Sequence, residues 1–194
     1  MEASEPTSAD VLERACGSTG AVLEMVRATD LDRTTPCASW NVRDVVNHIV
    51  GGTAFFAELA EKGTVTDRGD ETDWTATDFA AAFRREAGRL VAAFRAPDAM
   101  NKPMKMPFGE LPGSVCVWIA AGDIFTHGWD LAKATGRPTD LEPDVAARLL
   151  AQIEPILPDD MRGPDGEAAF GPRVGIADSA PAADRLAAFE GRHP

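Results

Sequence analysis

Asp123-Ile124-Phe125-Thr126-His127-Gly128-Trp129-Asp130-Leu131 sits inside an apolar run from about Ser114 to Ala134. The length and composition of that run predict a helix. On a helix, residues four apart leave the same face one turn above the other, which stacks Asp123 on His127. Cys116, Ile119, Ala120, Leu131 and Ala134 are read onto the same face, so the carboxylate and the imidazole stand among small and apolar groups. Unpartnered polar groups are costly to bury. A divalent cation is one partner that satisfies both, and His48 offers a third ligand. Two imidazoles and a carboxylate leave a coordination position open for water or substrate, unlike a closed four-ligand structural site. The alternative is that each histidine is a core residue hydrogen-bonded to a carbonyl, and spacing alone does not choose.

The rest of the composition narrows the field. A chain of 194 residues is most economically one domain, with length enough for a core. The formal net charge is −12. That argues against nucleic acid or an anionic membrane as partner, since either favours a basic face. No apolar run reaches the roughly 18–20 residues that span a bilayer, and the acidic, polar N-terminus is not expected to be a secretory signal. Cys16, Cys37 and Cys116 are widely spaced and form no CxxC pair, so disulfides are not expected and a reducing cytoplasm is.

Outward from the central run, helices are expected over Ser8 to about Ala28, with Ser8 as cap, and over about Val42 to Glu61. The second has the clearest start: Asn41 caps it, Asp44 occupies the capping-box position, and Trp40 can pack on Val45. His48 falls on its apolar face, and Gly51-Gly52 beside it leave room for a ligand or a neighbouring backbone. Thr64 to Asp73 reads as a solvated loop. A third helix fits Thr77 to about Ala96, with Phe79, Phe83, Leu90 and Phe94 inward and Arg84, Arg85, Glu86 and Arg89 largely outward. The prolines between Pro97 and Gly113 forbid a continuous helix, and no convincing strand alternation is visible. The Asp123/His127 helix should stop at Thr135 with Gly136 as cap, and a fifth should run from Glu142 to about Glu154. Beyond Pro158 the chain is rich in proline and glycine, with one short helix expected over Ala182–Phe189. The fold class is all-α: an antiparallel four-helix bundle over about 8–157 with an extra helical and irregular segment over 158–194.

Other polar residues have plainer readings. His193, the penultimate residue, is assigned to a mobile tail and Asp44 to capping. Asp130, three residues past His127, is placed to orient an imidazole from behind the ligands, or to pair with Arg137 or a lysine. Cys116, Trp118 and Trp129 are expected in the core. Met104 to Gly109 reads as extended or as a short lid, and for Met104, Met106 and Phe108 plain packing is expected ahead of covering a pocket.

Thr35-Pro36-Cys37-Ala38-Ser39-Trp40-Asn41-Val42-Arg43-Asp44-Val45-Val46-Asn47-His48 resembles the opening motif of the DinB/YfiT-like metal-binding superfamily. The branch it is most similar to is that of the N-terminal domain of mycothiol-dependent maleylpyruvate isomerase. Asp123 to Ala132, continued by Lys133-Ala134-Thr135-Gly136, resembles the second motif of that branch. The resemblance extends from about Leu12 to Arg192. It implies a DinB-type bundle holding a divalent metal on His48, Asp123 and His127, with zinc first and nickel or iron compatible. It also implies mycothiol or a similar thiol as co-substrate, activated for attack on an electrophile. Two departures stand out. The branch carries Glu at the position of Asp123, and the isomerase has an additional C-terminal domain that contributes to catalysis. The expectation is therefore a metal-dependent thiol S-transferase or isomerase-like enzyme rather than a maleylpyruvate isomerase as such. A non-catalytic metal- or small-ligand-binding module is the alternative. No catalytic residue is assigned beyond the ligands, and homodimerisation is expected only by analogy.

Overall fold

The computed structural model describes residues 5–65, 72–157, 159–164 and 167–194. In chain order its helices are α1 (Ser8–Leu23), α2 (Val42–Lys62), α3 (Phe79–Phe94), α4 (Gly113–Ala134), α5 (Pro143–Ile153) and α6 (Ala182–Phe189). A hairpin of β1 (Pro103–Met106) and β2 (Gly109–Pro112) separates α3 from α4. The four long helices pack in a ring, with α1 against α4 and α3, and α2 against α3 and α4. The all-α bundle expected from the sequence is present, with the short sheet added to it. No helix among the described residues is long and apolar enough to cross a membrane.

Local chemistry sets the ends of the elements. Asn41 Oδ1 accepts the Asp44 N–H at 3.0 Å while Asp44 Oδ2 accepts the Asn41 N–H at 3.0 Å, which is the expected capping box. The cap of α1 is Thr7 rather than Ser8, again by a reciprocal box with Asp10. That helix ends at Leu23, short of Ala28, because Asp30 accepts the Arg27 N–H at 3.0 Å and closes a separate 3-10 turn. The third helix is also shorter than expected, starting after the Asp78 cap. Within it Glu86 is buried rather than outward, held by Arg85 at 2.9 Å and by Arg89. Of the loop expected over 64–73, residues 66–71 lie outside the described residues.

The hairpin falls where an extended stretch or lid is expected, but its strand pairing is not expected from the sequence. Its strands are four residues long and proline-bounded, and Met104 is their one fully buried side chain, so no two-residue alternation builds up. It is tied to the bundle by the Lys105 N–H donating to Gly63 O at 2.9 Å and by Lys102 Nζ reaching Ala60 O at 2.8 Å.

Most of α4 is buried, from Cys116 on one side to Trp129 on another, so it is the axis of the molecule. Its contact with α1 is very close. Thr19 Oγ1 donates to Ile124 O at 2.9 Å, and a Cβ at Gly128 would lie 2.3 Å from that same hydroxyl oxygen. Gly128 therefore lets α1 close against α4 directly behind Asp123 and His127. On the far side α6 docks onto α4 and α5, with Trp129 Nε1 donating to Asp184 Oδ1 at 2.8 Å. The last turn of α6 needs Gly191, whose φ is +96° and whose missing Cβ would lie 2.4 Å from Gly171 Cα.

Gly128→Ala should destabilise the protein by about 1–3 kcal/mol in urea unfolding, because overpacking forces the helices apart. Adding Thr19→Ala, which removes the clashing hydroxyl, should recover part of that loss.

Candidate metal centre

His48 from α2 and Asp123 and His127 from α4 converge. One donor atom from each lies within 4.8 Å of the others. His48 Nε2 is 3.0 Å from Asp123 Oδ1, and His127 Nε2 is 3.7 Å from the same oxygen. The imidazole centroids are 4.6 Å apart with their planes at 70°, so the rings approach edge to face. The second carboxylate oxygen, Asp123 Oδ2, is buried with no hydrogen-bond partner. An orphaned anionic oxygen between two imidazoles is what a cation would satisfy. Gly52 stands beside it: a Cβ there would lie 3.5 Å from Oδ2, so the glycine leaves that side open. The residues present therefore fit a divalent cation.

Asp130 stands behind this set. Its Oδ2 is 3.0 Å from His127 Nδ1, and its side chain is fully buried. A carboxylate can only accept there, so Nδ1 carries the proton and the Nε2 lone pair faces Asp123. Arg192 holds the carboxylate in turn, through Nη2 to Oδ2 at 3.1 Å and Nε to Oδ1 at 3.4 Å. Neither Arg137 nor a lysine is the partner; Arg137 donates to Met25 O at 2.6 Å. No local signal marks Arg192, which is 62 residues from Asp130 and arrives only because α6 docks beneath α4. His193 next to it is exposed but lines the same cavity as the triad, which removes it from the free tail expected for it.

Burial alone would raise the pKa of Asp123, but the charge and hydrogen bond of His48, with Arg192, hold it at about 2. Burial pushes His127 down and outweighs the carboxylates, so its imidazole stays neutral. For Asp130 burial is outweighed by Arg192 and His127, and its pKa falls below the ordinary carboxylate value. Glu190 goes the other way: burial lifts it to about 7 despite Arg192.

Trp40 roofs both imidazoles, its ring centroid 4.7 Å from that of His48 and 5.3 Å from that of His127. The Thr35-Pro36-Cys37 turn sets its position: Thr35 Oγ1 accepts the Cys37 N–H at 3.2 Å and donates to Trp40 O at 2.8 Å. Cys37, Met106 and Phe108 line the cavity in front of the triad, whereas Cys116, Met104 and Trp129 are core. That cavity has a volume of about 1480 Å³.

Two outcomes follow from these charges. Arg192→Met leaves the Asp130 carboxylate buried without its cation and should cost roughly 3–5 kcal/mol, measured by chemical denaturation. Glu190 binds its proton more tightly folded than unfolded, so its contribution is present below about pH 4.5 and is lost as pH rises through about 7. Glu190→Gln should remove a fall in stability on the order of 3 kcal/mol across that window, read from urea midpoints at successive pH values.

Comparison with known proteins agrees with this architecture. Residues 12–132, more than half of the chain, match the family profile of the mycothiol maleylpyruvate isomerase N-terminal domain. Two uncharacterised proteins of Mycobacterium tuberculosis, from strains CDC 1551 and H37Rv, are each 36% identical over 180 residues, covering 93% of this chain and 94% of theirs. Crystal structures of mycothiol-dependent maleylpyruvate isomerase and of its histidine-to-alanine mutant superpose with TM-scores of 0.56 and 0.58, at 18% and 17% identity. Those alignments cover 74% of this chain and 66% of the isomerase, so the chain spans just under two thirds of that protein's length. The chain belongs to the mycothiol maleylpyruvate isomerase N-terminal domain family, and its fold is the DinB-like helical bundle that its two motifs implied.

Proposed function

We propose that this protein is a metal-dependent enzyme that activates a low-molecular-weight thiol of the mycothiol type for S-transfer to, or isomerisation of, a small electrophile. His48, Asp123 and His127 would hold the cation. Zinc suits the donor set first, and nickel or iron is compatible with it. The observation that carries the proposal is the orphaned Asp123 Oδ2, buried beside two imidazoles on the wall of a large cavity. A bound divalent cation supplies Lewis acidity, lowering the pKa of a coordinated thiol as it does that of water.

The protein's own residues do the remaining work. Asp130 fixes the His127 tautomer and keeps the Nε2 lone pair aimed at the site. Arg192 keeps Asp130 ionised, and Trp40 shields the imidazoles from solvent. A cavity of about 1480 Å³ accommodates a pseudo-disaccharide thiol together with a second reactant. That opening in front of the donors favours an enzyme over a closed metal-binding module. The wide spacing of Cys16, Cys37 and Cys116, with no CxxC pair, supports a reducing, cytoplasmic setting.

Elemental analysis of protein purified without a metal-affinity tag should give one divalent metal per chain. His48→Ala and His127→Ala should each abolish that stoichiometry with helix content retained by circular dichroism. Full occupancy in either variant would mean that the ligands are wrongly assigned. Mycothiol titrated into the metal-loaded protein should bind saturably; metal without thiol affinity would point instead to the non-catalytic module.

A further inference from the structure

The cavity wall beside the donor triad is of one chemical kind, and its extent can be read from the helices that make it. From His48, α2 continues seven residues to Phe55 and Phe56, both of which line the cavity. From Asp123, α4 runs back eight residues through Ile119 to Val115, which line it too. At ~1.5 Å per residue these walls extend about 10–12 Å from the donors. Met106 and Phe108 of the hairpin complete the lining on that side.

Apart from Arg192 and the imidazoles, the charged groups of the described lining are carboxylates. Asp123, Glu167 and Glu190 bring carboxylates to it. Among the described lining residues the guanidinium or ammonium side chain is Arg192, and Arg192 is already committed to Asp130 at 3.1 Å and to the Glu190 carbonyl at 3.2 Å. Along this wall, away from the donor triad, a carboxylate would lose its hydration and meet, among the described lining residues, no guanidinium or ammonium that is not already paired. A flat apolar molecule would instead bury its surface against rings and aliphatic side chains.

Resting on the thiol-transfer reading above, we propose that this chamber selects the electrophilic substrate: an uncharged, apolar compound of aromatic or short alkyl type, about as long as a naphthalene ring system, in preference to dicarboxylates, whose second carboxylate would lie on the apolar wall. Specificity then resides in the α2–α4–hairpin wall, and the triad is indifferent to it.

The test uses N-phenyl-1-naphthylamine, an uncharged probe that fluoresces in apolar surroundings, with fumarate as competing dicarboxylate, on metal-free and zinc-loaded protein. One saturable probe site per chain is expected in both forms, and fumarate at a hundredfold excess should not displace it. Ile119→Lys places an ammonium in the wall, and Phe108→Arg places a guanidinium at its edge. Each should weaken probe binding at least tenfold. Phe108 is 60% exposed, so its replacement leaves the core intact even where Ile119→Lys fails to fold. Absence of a saturable probe site, displacement by equimolar fumarate, or unchanged binding in Phe108→Arg together with any folded Ile119→Lys would overturn the assignment. Metal analysis of the same samples separates the two readings. Probe binding without metal would leave the chamber standing and remove the metal centre, while metal without probe binding would do the reverse.

Discussion

A helix buried on nearly every side leaves its polar side chains nowhere to go except to one another or to a ligand. That constraint on α4 governs the rest of the molecule. Asp130 has no access to water, so it is held by His127 from one side and by Arg192 from the other. Its partner His127 is buried as well, and Asp123 one turn earlier keeps one oxygen without any partner. Satisfied polar groups form a scaffold behind the site, and the Asp123 oxygen without a partner belongs to a residue of the cavity wall. Hydrogen bonding in the network is incomplete at the end proposed to hold the cation.

Close packing makes this arrangement stiff. Gly128 brings α1 against α4 at a distance that admits no side chain, and Thr19 fills the space while bonding to the α4 backbone. A carboxylate and an imidazole separated by one turn keep a fixed relation only if the helix beneath them cannot shift, and this contact restrains it. The C-terminal segment contributes in the same way. Gly191 and Gly171 meet so tightly that the chain after α6 is forced under α4, and this delivers Arg192 to Asp130.

Polar and apolar surfaces are separated within the cavity. Donor atoms and their supporting charges occupy one part, while aromatic and aliphatic side chains from α2, α4 and the hairpin occupy another. Low polarity next to the triad strengthens every electrostatic interaction there. The pKa directions reflect it: His127 is driven neutral by burial, and Asp123 stays ionised because the His48 imidazole is hydrogen-bonded to it and Arg192 is near.

By itself the sequence determined what is local. Asn41 with Asp44 marked the start of α2, Gly136 the end of α4, and the apolar spacing of Val145, Leu149 and Ile153 the inward face of α5, because caps and periodicity are written within a few residues. The i, i+4 pair Asp123 and His127 was legible for the same reason, and two motifs identified the family. The strand pairing of the hairpin was not legible, since two four-residue strands carry too little pattern, and neither was the burial of Glu86. Only the tertiary structure decided that Arg192 supports Asp130, that Trp40 covers both imidazoles, and that an apolar wall adjoins the triad. Each of these depends on how helices distant in sequence dock, and docking is set by packing over the whole core, which no short stretch of residues encodes.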